Sequence, residues 1–379
     1  MKIEISRAAF MKGYQIAAMV APARSHVDIL QNIRITASDD HAWLEATDLD
    51  VGVRVDVSDS VTSLSPGAVV VPVSRMASIL RESTDDVVTV ESTDKGTKVS
   101  GARSKYLLPS ANPDEFPAVQ PMQPSGYISV SARAFSAAIS RTNYATDSLS
   151  SRFALGGIKI EPEEDGSINV VGTDGRRLSR VNIASSECEV VGESSIPDST
   201  VVQSRAAVSI ERMISGSSID GGEVHIQATH SDIIVGVGES VIRSRLVDGR
   251  YPAWRQVIPA RDDLETVVIQ AGVIESAVRQ AAITTDKESR GVSFEFGYGK
   301  MVLRSATAEI GDSEIETVIT YSGPRFERRF DKGYVLDFCK VVPSESLVYV
   351  LADPAKMDAT IFEVEGGFLN VIMPMAPEN

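Results

Sequence analysis

Apolar positions along the chain recur at two spacings. Steps of two mark strands: Trp43 to Thr47, Val87 to Val90, Ile233 to Val237 and Met301 to Leu303 are alternating or β-branched, and turn clusters such as Asp94-Lys95-Gly96 and Asp220-Gly221-Gly222 bound them. Steps of three and four mark helices. Met76, Ile79 and Leu80 follow the strand Val69 to Pro72; Ala207, Ile210 and Ile214 follow Val201-Val202; Tyr334, Phe338 and Val341 follow Arg329-Phe330. Each set predicts one apolar helix face packed on a sheet. A strand-then-helix opening also repeats: Ile3-Glu4-Ile5-Ser6 runs to Phe10, Ile128-Ser129-Val130-Ser131 to Phe135, and Val267-Val268-Ile269-Gln270 to Ile274. These starts are 125 and 139 residues apart, the size of a compact domain, so the chain reads as three copies of an α+β unit with two helices each. Proline- and charge-rich connectors at Pro113 to Ser125 and Ile258 to Glu265 predict domains over 1–124, 125–260 and 261–379.

With 379 residues, 43% of them hydrophobic, the chain can bury several cores, and no apolar run approaches the ~20 residues of a membrane span. Ile16 to Ala23 is apolar and Ala21-Pro22-Ala23 imitates a signal-peptidase site, but Glu4, Arg7, Lys12 and Gln15 interrupt the stretch. The same pattern returns internally, so the start reads as mature structure. Cys188 and Cys339 fall in different copies and no Asn-x-Ser/Thr site is present, which points to a reducing cytoplasmic setting.

The net charge of −15 argues against an ordinary duplex binder, whose affinity comes from neutralising phosphates. Yet the helices carry cations away from their apolar faces. Lys12 opposes Phe10, Tyr14, Ala17 and Ala18; Arg133 and, obliquely, Arg141 oppose Phe135 and Ile139; Arg205 and Arg212 oppose Ala207, Ile210 and Ile214; Lys332 opposes Tyr334, Phe338 and Val341. Arg81 and Arg279 lie off the remaining two faces. A ring of repeats with helices inward would gather these residues into a positive lining and leave the acidic excess outside.

Enzyme signatures are missing. There is no phosphate loop, dinucleotide fingerprint or paired His-Glu metal motif, and no cofactor is implied. Ser92-Thr93-Asp94-Lys95 matches a Ser-x-x-Lys pattern but falls on a turn between strands without companion motifs. His225 and His230 are too isolated for a metal site. The rival reading is a β-rich repeat scaffold or adhesion module that does not act on DNA; an adhesin would be exported, which the start of the chain argues against.

The chain resembles the bacterial DNA polymerase III β subunit family, the replicative sliding clamps, over essentially its whole length. The residues that carry this are Ala46-Thr47-Asp48-Leu49-Asp50, Ser151-Arg152-Phe153-Ala154-Leu155-Gly156-Gly157, Gly172-Thr173-Asp174-Gly175-Arg176-Arg177-Leu178, Val247-Asp248-Gly249-Arg250-Tyr251-Pro252 leading to Ile258-Pro259, and the ending Val371-Ile372-Met373-Pro374-Met375. The resemblance implies a head-to-tail ring of two three-domain chains. Helices would line a central hole and antiparallel sheets form the shell. Duplex DNA would be held topologically, without sequence readout, and no catalysis is implied.

By the same resemblance, Arg24, in the loop after the first helix, and Arg205 correspond to DNA-contacting positions. A hydrophobic groove between the second and third domains would take short peptide motifs of polymerases, the clamp loader and repair proteins. Its positions here are Arg152, Leu155, Thr173, Gly175, Arg176, Arg177, Leu178, Pro252, Val257, Tyr334, Val371, Ile372, Met373, Pro374 and Met375. The chain departs from the family pattern at Gly156, Gln256, Ser289 and the tail Ala376-Pro377-Glu378-Asn379, which implies a different peptide preference. The subunit junction would use Tyr106 and Leu108 against Ile283 and Thr284, with Arg103 and Lys105 facing Glu309, Asp312, Glu314 and Glu316.

Overall fold

The computed structural model describes residues 1–123, 126–150, 154–217, 222–285 and 290–376. The expected boundary residue Pro124 and the turn residues Asp220 and Gly221 lie outside them. Six α-helices are present among the described residues: α1 (Arg7–Val20), α2 (Val73–Glu82), α3 (Ala132–Asn143), α4 (Ser204–Gly216), α5 (Ala271–Ala281) and α6 (Lys332–Lys340). By packing, the chain divides into two compact units, Met1–Ser136 with Ser186–Leu246, and Ala137–Ser185 with Val247–Asn379. That division cuts across the threefold sequence repeat, because strands from neighbouring repeats share a sheet.

In the first unit, nine strands follow the order Cys188–Gly192, Gly126–Ser131, Glu223–Ala228, Asp232–Val237, Ser240–Arg245, Val51–Asp56, Ala42–Thr47, Asn32–Ala37, Gly67–Pro72. Their pairings are antiparallel, and the two repeats meet where Ile242 faces Val53. Helix α1 buries Phe10, Tyr14, Ala17 and Val20 and exposes Lys12, as its three- and four-residue steps predict. A second sheet, ordered Val61–Ser65, Lys2–Ser6, Val87–Thr93, Gly96–Ser100, Lys105–Leu108, ends on the short strand Lys105–Leu108.

The second unit repeats this plan. Gly157–Pro162, Ile168–Thr173, Arg177–Ile183, Phe368–Ile372, Thr360–Val364, Leu347–Ala352 and Glu265–Gln270 are consecutive strands of one sheet, again antiparallel. Gly311–Val318, Lys300–Thr307, Gly291–Gly297 and Phe326–Asp331 form another, with Gly311–Val318 at its edge. In the larger sheet Leu369 and Val371 join Leu178 and Trp254 in one apolar cluster. Phe368, one residue out of step, faces the other way and meets Phe338 of α6 at 5.4 Å.

Helix α6 corrects the sequence reading by one position. Its buried residues are Val335, Phe338 and Cys339, while Tyr334 and Val341 are only half-buried. Asp331 caps the helix, its carboxylate accepting from the Gly333 N–H at 2.7 Å. Phe338 is drawn between Phe362 and Phe368, and that sets the helix rotation. Lys332 is correspondingly not an open cation, because its half-buried ammonium donates to the Thr285 hydroxyl.

Helix α3 can end against the sheet only because position 172 lacks a side chain. A β-carbon at Gly172 would overlap the carbonyl oxygen of Thr142. Gly172→Ala is therefore expected to destabilise the fold by about 1–3 kcal/mol through overpacking, measured as a lowered urea midpoint with an unchanged slope; an unaltered midpoint would show that α3 yields there without cost.

Candidate functional site

A cavity of about 240 Å³ opens on the second unit. It forms where the turn after the strand Ile168–Thr173, the segment Pro252–Val257 and the end of the strand Phe368–Ile372 converge. The turn is rigid. The Thr173 hydroxyl donates to the Arg177 carbonyl at 2.6 Å and accepts from the Gly175 N–H at 3.1 Å. One Asp174 carboxylate oxygen accepts from the N–H groups of Arg176 and Arg177 at 2.9 and 3.0 Å. Gly175 has φ 86°, a left-handed conformation that glycine adopts without steric penalty. Leu178 and Val371, partners across the ladder and each 1% exposed, form the floor.

Trp254 supplies a wall that sequence reasoning missed. Its ring is buried, its indole N–H donates to Glu161 at 2.8 Å, and the Arg255 guanidinium lies 4.3 Å over it. The available signal was an aromatic two residues after Pro252, on a turn where a side chain of that size would otherwise lie in water. Val257 and Met373 are the exposed rim, each 42% accessible.

Behind the turn, Arg177 is fully engaged. Its guanidinium pairs with Asp174 at 3.0 Å and Asp337 at 2.8 Å, donates to the Tyr144 carbonyl at 2.7 Å, and lies 4.5 Å over the Tyr334 ring. Burial alone would raise the Asp337 carboxyl, but hydrogen bonds from Lys340 and Arg177 outweigh it and hold the group below the ordinary carboxylate value.

Of the expected groove residues, the structure gathers Leu155, Thr173, Gly175, Arg176, Arg177, Leu178, Pro252, Val257, Val371 and Met373 around the cavity. Four do not line it. Ile372 is fully buried on the opposite face, since side chains alternate along a strand. Tyr334 lies behind Arg177. Pro374 follows the cavity's last residue, and Met375 is carried off by its N–H donating to the Arg329 carbonyl at 2.7 Å. Arg152, with its neighbours Ser151 and Phe153, lies outside the described residues, as do Ser289 and the tail Pro377 to Asn379.

The expected DNA-facing cations differ in how free they are. Lys12, Arg24 and Arg133 are exposed and have no ion-pair partner among the described residues. Arg212 is exposed, its guanidinium 3.3 Å from the Met19 sulfur. Arg81 and Arg279 are exposed but pair along their own helices with Glu82 at 2.9 Å and Glu275 at 2.6 Å. Arg205 is held by Asp48, by Asp50 at 3.5 Å and by the Gln203 side chain at 3.0 Å. Arg141 is half-buried, 5.2 Å over the Phe368 ring, so it packs against the core.

The expected junction residues lie at two sheet edges. Arg103, Lys105 and Tyr106 are exposed on or beside the edge strand Lys105–Leu108, but Leu108 is turned inward at 7% exposure and Leu107 is the exposed leucine. Ile283 is 74% exposed, whereas the Thr284 hydroxyl is drawn inward onto Ser305 and Ser313 at 2.6 and 2.9 Å. Along or beside the edge strand Gly311–Val318, Glu309, Asp312, Glu314 and Glu316 are all exposed; Glu314 already pairs with Arg304 and Glu316 with Lys300.

Three successive family models match the chain: the DNA polymerase III beta subunit N-terminal domain over residues 1–120, the central domain over 129–253 and the C-terminal domain over 255–376. The chain belongs to the DNA polymerase III beta subunit family. It therefore consists of three clamp domains. Among relatives of that family, the beta sliding clamp of Caulobacter vibrioides is 26% identical over 99% of this chain and all of that one. Of solved structures, a sliding clamp (DNA polymerase III subunit beta) from Bartonella birtlesii bound to griselimycin is 25% identical with a TM-score of 0.89, and the Caulobacter crescentus pol III beta is 25% identical with a TM-score of 0.84, both over the full length of each chain. The rival scaffold reading falls with this membership.

The depressed Asp337 value has a definite sign. A carboxylate whose folded pKa lies below its unfolded value of about 3.9 contributes stability above that pH and loses it as pH falls through the folded value. Asp337→Asn should thus melt below the parent at pH 7, with the gap narrowing below about pH 4. A gap that is constant with pH would mean that the charge on Asp337 is not what couples it to Arg177.

Proposed function

We propose that this chain is a sliding clamp: two copies close head to tail around duplex DNA in the cytoplasm and tether polymerases, clamp-loading and repair proteins through short peptide segments docked in the 240 Å³ cavity. The observation that carries the reading is the match of all three family domains along a chain whose second unit forms an apolar cavity lined by most of the positions that the resemblance assigns to a peptide groove. The electrostatics agree with it. A chain of net charge −15 repels DNA at long range, and Lys12, Arg24 and Arg133, which have no ion-pair partner among the described residues, supply only a loose attraction. Retention then comes from enclosure, which leaves register unfixed and permits sliding. No chemical step is asked of the protein.

Retention on DNA tests the reading. Protein loaded on nicked circular plasmid should stay bound through gel filtration and leave when the plasmid is linearised. Arg24→Glu should shorten the dwell on the circle without changing the melt, since an exposed charge contributes little to stability. Equal retention on circular and linear DNA would overturn enclosure.

Assembly is separately testable. The strands Lys105–Leu108 and Gly311–Val318 stand at sheet edges with no strand beyond them among the described residues, and pairing them between copies would satisfy the free backbone groups of both. Tyr106→Ala with Leu107→Ala should weaken the dimer by about ten- to a hundredfold in sedimentation equilibrium; an unchanged dissociation constant would place the junction elsewhere.

A further inference from the structure

The cavity distinguishes sharply between what its interior and its mouth can recognise. Inside, the side-chain hydroxyl and indole N–H of the described lining are both engaged: the Thr173 hydroxyl donates and accepts within its turn, and the Trp254 indole N–H is committed to Glu161. A polar side chain entering there would lose its water partners without replacement, so the interior accepts apolar groups only. At 240 Å³ it holds roughly two ordinary aliphatic side chains, below the usual range of small-molecule pockets of about 300–1,000 Å³.

Among the described residues, Arg176 and Arg177 line this interior and Arg255 packs on its Trp254 wall, and two of these three are already neutralised. Arg177 is clamped by Asp174 and Asp337. Arg255 pairs with Glu161 at 3.0 Å and with Glu163. Arg176 lines the same cavity, is exposed, and has no side-chain partner among the described residues. Asp174, two residues away, spends one oxygen on backbone N–H groups and the other on Arg177. The main chain of Arg176 is also anchored, its carbonyl accepting from the Met373 N–H at 3.0 Å, so its guanidinium projects from a fixed point on the rim.

We infer that Arg176 is a specificity-determining residue that reads one acidic side chain of the docked peptide, placed next to the apolar pair that fills the cavity. This rests on the groove reading above. The pair is a charge-assisted, exposed contact, which orients and selects more than it tightens.

Amidated, fluorescein-labelled eight-residue peptides carrying a terminal Leu-Leu pair, with a single Asp, Asn or Lys moved through the three preceding positions, test it by anisotropy against the full chain. At low salt the best Asp peptide should bind about three- to tenfold tighter than its Asn counterpart, and the preference should shrink at about 0.5 M salt. Arg176→Gln should abolish the preference, so that the Asp and Asn peptides bind within about twofold of each other; Arg176→Glu should shift it to the Lys peptide. An acid preference that survives in Arg176→Gln, or a parent that binds Asn and Asp peptides equally, would overturn the inference and leave the groove intact. Failure of every peptide to bind the parent would overturn the groove itself.

Discussion

The arrangement depends on antiparallel pairing across the borders between repeats. Where Arg177–Ile183 pairs with Phe368–Ile372, strands separated by nearly two hundred residues of chain become neighbours, and Leu178 comes to face Val371. The register cannot slip by one without sending Leu369 and Val371 to the helix side and Phe368 to the cavity side, exchanging both apolar sets at once. The pairing of Ser240–Arg245 with Val51–Asp56 does the same for the first two repeats. Repeat borders are thus sealed by backbone hydrogen bonds, which tolerate wide variation in side chains. A fold that keeps its form at 25% identity to the Bartonella birtlesii clamp is consistent with that.

The two seams share a turn and differ in what they build on it. Thr47 and Asp48 repeat the bonding of Thr173 and Asp174: the Thr47 hydroxyl donates to the Val51 carbonyl at 2.9 Å, and Asp48 accepts from the N–H groups of Asp50 and Val51 at 3.1 and 2.8 Å. Leu49 takes φ 80° where Gly175 takes 86°, a conformation that costs a branched residue more than glycine. In the first seam Gly52 lies close to Val119, so space is filled by a neighbour's methyl groups. In the second, Leu178 and Trp254 stand back to leave a cavity. The same local chemistry gives a closed brace in one place and an opening in the other.

Charge is distributed by the same logic of engagement. Most arginines near either seam are consumed internally, Arg205 by Asp48 and Asp50, Arg177 by Asp174 and Asp337, Arg255 by Glu161 and Glu163. Such pairs hold loops in place and leave little net field. The cations without an ion-pair partner among the described residues are the ones free to meet an outside anion, and a strongly acidic chain can present locally basic points without becoming sticky to nucleic acid in general.

The sequence by itself determined the repeat, the helices and most of the cavity. Periodicity is a local property: Phe10, Tyr14 and Ala17 face inward because of their spacing, whatever they meet. The short signature Thr173 to Leu178 is equally local, since its turn is built from its own hydroxyl and carboxylate. Tertiary structure decided the rest. Helix α6 is rotated by one residue because Phe362 and Phe368 capture Phe338. At the sheet edge Leu108 turns inward while Leu107 stays exposed, and Ser305 and Ser313 claim the Thr284 hydroxyl. Trp254 becomes a wall, and Arg176 is left as the rim cation, only because residues distant in the chain arrive beside them with or without a partner. Spacing sets which way a side chain points; what it meets there is fixed by packing between segments that the sequence order does not bring together.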